Sequence, residues 1–354
     1  MSEGCEQGFQ KRFGRNHAAS GTAPGRVNLI GEHVDYNGGT VLPMALACRC
    51  VAEIAPNKEN MLQIAASRYE DMVERSVNEG ATGHWSDLVV GSVQKARELG
   101  LVDTGLDIYV ESTVPGGAGV SSSAAVATAV LRAIMELGGA EVSPVETAMA
   151  ARAVENDYIG VPCGIMDQMA VGLLQAGEAL ALNTKDMTTE TIGVPQGWEF
   201  CVLHSGTHRL LSDGRYQERF AECAEAAKTL GVGHLCDGAL DDIKRLPEGL
   251  QKRARHVISE HARTCRAIDA MEAGDLDAFG TLMNDSHTSY ASDFEASTPI
   301  IDKLVDGARG HGAVGARLTG GGFGGCIVCL LPSHQADDWK KTMVEYFPET
   351  WLVD

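Results

Sequence analysis

Arg26, Glu32, His33 and Asp35 fall within ten residues, in the stretch Gly25-Arg26-Val27-Asn28-Leu29-Ile30-Gly31-Glu32-His33-Val34-Asp35-Tyr36-Asn37-Gly38-Gly39. Val27, Leu29 and Ile30 read as apolar anchors, so the polar groups project from an anchored strand into a turn. Acceptors and donors converging in this way suit a polyhydroxylated ligand, because each hydroxyl both gives and takes a hydrogen bond. Taken alone, the stretch also fits a plain ion-paired turn at a strand end. A second stretch, Val114-Pro115-Gly116-Gly117-Ala118-Gly119-Val120-Ser121-Ser122-Ser123-Ala124-Ala125, follows an apolar strand predicted over 106–110 and opens a helix predicted to reach about Leu137. Gly117 and Gly119 let the backbone curl with its N–H groups inward, and the helix N-terminus favours a phosphate. Ser121, Ser122 and Ser123 add hydroxyls for phosphate oxygens or a magnesium ion, where one serine would suffice as a helix cap.

A third stretch, Ala316-Arg317-Leu318-Thr319-Gly320-Gly321-Gly322-Phe323-Gly324-Gly325-Cys326-Ile327-Val328-Cys329, contains a formal G-x-G-x-x-G match at Gly320, Gly322 and Gly325. A dinucleotide fingerprint must open a helix, whereas a strand-like run over 326–331 follows here. The expected use is a glycine turn between strands that lets another backbone, or a substrate, approach closely. The chain has no G-x-x-x-x-G-K-[ST] loop and no H-R-D or D-F-G element, so any phosphate cradle must be the serine stretch.

Together the three stretches resemble the three motifs of the GHMP kinases, and the first resembles the galactokinase signature within that superfamily. The likeness runs from about Phe9 to the C-terminus. Val34 and Val120 depart mildly from the usual threonine and leucine. Leu88, in Trp85-Ser86-Asp87-Leu88, stands where tyrosine is common. The resemblance implies an α+β fold of two lobes: a ribosomal-protein-S5-like lobe over 1–182, a ferredoxin-like lobe over 183–354, and a site between them. It implies ATP as co-substrate, Mg2+ as cofactor, and phosphorylation of galactose at its anomeric hydroxyl.

The resemblance also assigns roles. Cys163-Gly164-Ile165-Met166-Asp167-Gln168 is similar to the segment carrying the catalytic base, which makes Asp167 that base. Its apolar neighbours agree, since a carboxylate in such a setting needs a partner or a task. Arg26 would lie beside Asp167, keeping it ionised and stabilising the developing oxyanion. Glu32, His33, Asp35, Gly164 and Tyr216 are expected on the sugar. Gly117, Gly119, Ser121, Ser122, Ser123 and Trp85 are expected on the nucleotide. Glu155 and Ser122 are expected on the metal, which needs few protein oxygens because it keeps several waters. Related readings are kinases for N-acetylgalactosamine, galacturonate or arabinose, and a non-catalytic galactose sensor. Glu32 disfavours a C6 carboxylate, the bulk of Cys163 and Ile165 disfavours an acetamide, and the intact serine run disfavours the sensor.

Around these motifs, strands are expected over 48–54, 61–65, 178–182 and 199–204. Helices are expected over 88–99, 144–158, from near Gly164, 216–230, 251–271, 276–289 and 337–346, with a crossover over 183–196. Strands and helices interleave without regular β-α-β units, which favours α+β. The 354 residues exceed a single core. A net charge of −19, from 29 Lys+Arg against 48 Asp+Glu, repels nucleic acid and anionic lipid. No run approaches the roughly 20 apolar residues of a membrane span, and the polar start lacks the pattern of a signal peptide. Cys48, Cys201 and Cys329, among ten cysteines, sit in apolar runs and behave as small hydrophobes, and Cys326-x-x-Cys329 lacks the second half of a zinc site. A cytoplasmic monomer or weak homodimer is expected. His256 and His261 read as solvated helix residues.

Overall fold

The computed structural model describes residues 3–207 and 214–353. They form two compact units that share the chain unevenly. One is built from the segment ending at Gly25, Leu46–Gly116 and Ser121–Gln175; the other from Arg26–Ala45, Gly117–Val120 and the chain from Ala176 onward. The sugar-type motif and four residues of the serine loop therefore belong with the C-terminal half.

In the first unit, the long strand Pro43–Asn57 runs antiparallel to Gly105–Ser112, with Ala52 opposite Val110 and Ile54 opposite Ile108. Leu62–Ala66 pairs parallel to Gly105–Ser112 on its other side, and Tyr69–Arg75 closes that edge. The strand Gly105–Ser112 is buried over its first six residues, and the helices Asp87–Glu98, Ser122–Gly138, Pro144–Ala153 and Met166–Leu173 pack on one another. The helix Ser122–Gly138 is alanine-rich on its buried side, where Ala124, Ala125, Ala127, Ala129 and Ala133 are fully covered. Small side chains there let neighbouring backbones approach.

In the second unit, Trp198–His204 lies between Cys326–Pro332 and Trp351–Val353, and Gly315–Leu318 pairs with Cys326–Pro332, all antiparallel. The strand Cys326–Pro332 is buried along nearly its full length, as expected of a continuous apolar run. Helices Glu248–Ala273 and Leu276–Ser292 pack on one another, and the latter packs on Gly315–Leu318. Thr40–Val41 and Thr189–Gly193 pair antiparallel with Glu178–Asn183, which also joins the strand Pro43–Asn57 where Met44 lies opposite Ala179. Among the described residues, no helix is long and apolar enough to cross a membrane.

Candidate active site

The strand Ala19–Asn28 carries Arg26 to its end, and the chain then leaves the ladder for the turn that holds the first motif. Val27, Leu29 and Ile30 are fully buried, the anchors their hydropathy implies. Leu29 N–H donates to the Leu42 carbonyl at 3.0 Å and Leu42 N–H to the Ile30 carbonyl at 3.1 Å, which pins the turn on both sides. Arg26 is buried and donates from Nη1 to the Gly119 carbonyl at 2.6 Å, so the first motif touches the serine loop directly.

Glu32 is also buried. Its Oε1 accepts from Arg317 Nη1 at 3.1 Å, Thr319 Oγ1 at 3.1 Å and the Gly320 N–H at 2.9 Å. Burial raises the Glu32 carboxyl above the ordinary carboxylate range, and the Arg317 guanidinium pulls it part of the way back. Arg317 is wholly buried within a longer network, with Glu260 Oε1 at 3.9 Å and Arg263 in turn on Glu260 Oε2 at 3.0 Å. Two carboxylates and two guanidiniums thus share one buried cluster. Removing one member would leave a charge unpaired there, at a cost of about 3–5 kcal/mol.

His33 adopts the left-handed backbone region, with φ at 61°. Its Nε2 lies 2.8 Å from the Tyr290 hydroxyl and its Nδ1 2.8 Å from the Tyr36 hydroxyl. Tyr290 donates its one proton to the Gly320 carbonyl at 2.7 Å. The neutral ring consistent with that donates from Nε2 and accepts at Nδ1 from Tyr36, whose own hydroxyl burial keeps protonated. The Tyr216 ring lies 5.5 Å from that of His33, at the start of the helix Arg215–Leu230. Leu211, Ser212 and Asp213, which precede Tyr216 in its motif, lie outside the described residues. Asp35 opens the short turn Asp35–Asn37 and is half-buried.

The third stretch explains its glycines by approach. A Cβ at Gly320 would lie 3.1 Å from the Gly119 carbonyl oxygen, and one at Gly325 would lie 3.2 Å from that of Ala118. The close backbone expected there is the serine loop itself. Within that loop the reason for glycine is different: Gly117 and Gly119 have φ of 75° and 80°, and a Cβ at either would point into open space. Ser121 then stands at the N-cap position of the helix Ser122–Gly138 with φ at 62°, but its buried hydroxyl makes no capping bond and has no hydrogen-bond partner.

In the first unit, Glu155 sits on a π-helical turn, Val154–Ile159, that follows Pro144–Ala153. The single α-helix expected over 144–158 widens at that point, a distortion common at functional positions. Ser123 Oγ donates to Glu155 Oε2 at 2.9 Å, and Gln168 Nε2 to Glu155 Oε1 at 2.8 Å. Asn156 Oδ1 accepts the Cys163 N–H at 2.9 Å, which holds the loop that carries Gly164 into the helix Met166–Leu173. Asp167 lies half-buried in the first turn of that helix. Trp85 stacks on Tyr69 with ring centroids 4.5 Å apart. Its turn is fixed by Asp87, which accepts from the N–H groups of Thr82, Gly83 and His84 at 2.8, 2.7 and 3.0 Å and from Arg75 Nη1 at 3.0 Å.

Sequence reasoning did not reach Arg317, Tyr290, Gln168 or Glu260. Arg317 had a signal, a charged residue inside an apolar strand, where burial demands a partner. His256 corrects an expectation outright. It is wholly buried rather than solvated, between Ser289 Oγ at 3.0 Å and the Glu32 carbonyl at 3.2 Å, and burial pushes its imidazole down to about 4. His261 is half-buried and accepts the Thr40 N–H at 3.0 Å. Among the described residues, no group of three or more His, Cys, Asp or Glu could hold a metal ion.

Three family models match in chain order: the galactokinase galactose-binding signature over residues 7–56, the GHMP kinases N-terminal domain over 87–173 and the GHMP kinases C-terminal domain over 267–348. The chain belongs to the galactokinase family of the GHMP kinases. Its fold is the two-domain fold of that superfamily, and its activity is that of a sugar kinase, phosphorylation of galactose. Among solved structures, the Lactococcus lactis galactokinase complexed with galactose is 29% identical, with a TM-score of 0.93 over 99% of this chain and 96% of that one. Mevalonate kinases share the fold at lower identity. The Methanococcus jannaschii enzyme is 18% identical with a TM-score of 0.70, covering 96% of this chain and 97% of its own. The L. major enzyme in complex with R-mevalonate is 20% identical with a TM-score of 0.68, covering 95% of each chain.

Proposed function

We propose that this galactose kinase moves the γ-phosphoryl group of ATP to the anomeric C1 hydroxyl, giving α-galactose 1-phosphate, with residues of the three motifs in separate roles. Asp167 takes or holds the proton of the C1 hydroxyl, and Arg26 offsets the charge that grows on that oxygen. Asp35 reads the ring diol. Glu32 faces the C6 end, with Gly164 and Tyr216 completing the sugar set. His33 has both ring nitrogens engaged by tyrosines, so its part in sugar binding is to hold the turn between Glu32 and Asp35.

The nucleotide falls to Gly117, Gly119, Ser121, Ser122 and Ser123, with Trp85 near the adenine. Support comes from the open space in front of Gly117 and Gly119 and from the buried, unpartnered Ser121 hydroxyl. Glu155 and the serine run offer an all-oxygen donor set, which fits magnesium. Glu155 would hold the ion with Ser122 or Ser123, and bound magnesium would neutralise charge on the β- and γ-phosphates. Gln168 fixes one oxygen of Glu155 and leaves the other turned to Ser123. A cytoplasmic setting and a monomer or weak dimer complete the reading.

The observation that carries the sugar assignment is the buried carboxylate of Glu32 beside a half-buried Asp35, within the matched galactose-binding signature. Epimers differ by one hydroxyl, so discrimination comes from acceptors left unpaired when it moves, worth roughly 1–3 kcal/mol each. Coupled ADP-release assays should rank galactose above N-acetylgalactosamine, galacturonate, arabinose and glucose. In Asp35→Ala the galactose-to-glucose ratio of kcat/KM should fall by about tenfold or more. An unchanged ratio would remove Asp35 from the sugar set.

A further inference from the structure

We infer that Tyr290 is a positioning residue that couples the sugar-binding turn to the phosphate loop through the Gly320 peptide. The inference rests on the reading that residues 26–35 hold the sugar and 117–123 the nucleotide phosphates. Two consecutive residues of the sugar motif reach the same glycine by different routes. Glu32 Oε1 accepts the Gly320 N–H at 2.9 Å. His33 Nε2 meets the Tyr290 hydroxyl at 2.8 Å, and that hydroxyl donates to the Gly320 carbonyl at 2.7 Å. Gly320 in turn lies against the phosphate loop, since a Cβ on it would be 3.1 Å from the Gly119 oxygen. That oxygen is also the acceptor for Arg26 Nη1 at 2.6 Å.

The path His33, Tyr290, Gly320, Gly119 is short, and its non-glycine turn residue, His33, is held in a left-handed conformation that a side chain rarely adopts. His33, Gly119 and Gly320 have φ of 61°, 80° and 80°. Tyr290 is wholly buried on the helix Leu276–Ser292, so its hydroxyl moves little, and it transmits the position of the imidazole to the carbonyl of Gly320. A ligand that orders the turn then spares part of the cost of ordering the loop, and the effect is reciprocal. In Tyr290→Phe the aromatic packing stays while the link between His33 and Gly320 is lost.

The test is calorimetry on the full chain, with galactose titrated in the presence and absence of Mg2+ and AMP-PNP. In the wild type, galactose should bind about fivefold or more tighter beside the nucleotide analogue, the lower end of typical coupling. Tyr290→Phe should bind each ligand alone within about threefold of wild type while the coupling ratio falls towards one. A variant with the wild-type ratio overturns the inference, as does a wild type that binds both ligands with a ratio of one. A wild type that binds neither ligand overturns the site reading and the inference with it. Should the variant fail to fold, hydrogen exchange on the wild type decides the matter. Galactose alone should slow exchange of the 117–123 amides, and unchanged exchange there overturns the coupling.

Discussion

Asp167 occupies the first turn of the helix Met166–Leu173, half-buried among apolar neighbours. A base in this position must accept a proton, and an amide of the same shape cannot. Asp167→Asn should therefore keep galactose affinity and melting temperature close to wild type while kcat falls by about 10²–10⁴-fold. Turnover and calorimetric binding on the same preparation check this, and wild-type turnover would exclude Asp167 as the base. Glu32 shows the opposite logic. Burial raises its carboxyl, and Arg317 and the Gly320 N–H, both far along the chain, pull it part of the way back, so its ionisation depends on the fold. Ionic residues at close spacing are visible in the sequence; the partners that decide their charge are not.

The serine loop works as an element because two glycines take conformations that other residues resist. A valine at position 119 would be strained at a φ of 80°, by about 1–2 kcal/mol, and would fill the open space beside the loop backbone. Gly119→Val should weaken ATP binding by more than about tenfold and leave galactose affinity within about threefold. Calorimetry with each ligand alone distinguishes this from misfolding, which would reduce both. Other elements differ in how plainly their sequences declare them. The helix Pro299–Gly310 lies outside the expected set, although Thr298 caps it, Pro299 starts it and Ile301, Leu304, Val305 and Ala308 form its buried stripe. The strands Tyr69–Arg75 and Thr189–Gly193 carry weaker signals, being mostly exposed and charged or polar, as edge strands are. The π-turn at Val154–Ile159 has no signature in hydropathy; its widened turn carries the oxygens that meet Ser123 and Gln168.

At the scale of the whole molecule, the buried polar network makes stability depend on pH. His256 is held down to about 4 by burial, and His287 likewise, with His287 Nδ1 accepting the Leu318 N–H at 3.3 Å. At these two histidines the folded state therefore binds fewer protons than the unfolded chain between pH 6.5 and about 4. Their contribution is full above pH 6.5 and is lost as pH falls towards 4. Between pH 6.5 and 5, His256 alone accounts for up to ~2 kcal/mol, before most carboxylates titrate. Thermal melts should show Tm falling by several degrees over that window, with a shallower slope in His256→Gln. An unchanged slope would assign the acid sensitivity elsewhere. The −19 net charge, the three motifs, the apolar anchors Val27, Leu29 and Ile30, and the family were legible in the chain because each is local or compositional. So was the reason for a glycine turn after Leu318, though not what it approaches. That Gly320 and Gly325 lie against Gly119 and Ala118, that Arg317 answers Glu32, and that His256 is dry rather than solvated were decided by tertiary structure alone. These contacts join residues up to 285 positions apart, and no local periodicity or spacing encodes which distant group will fill a desolvated site.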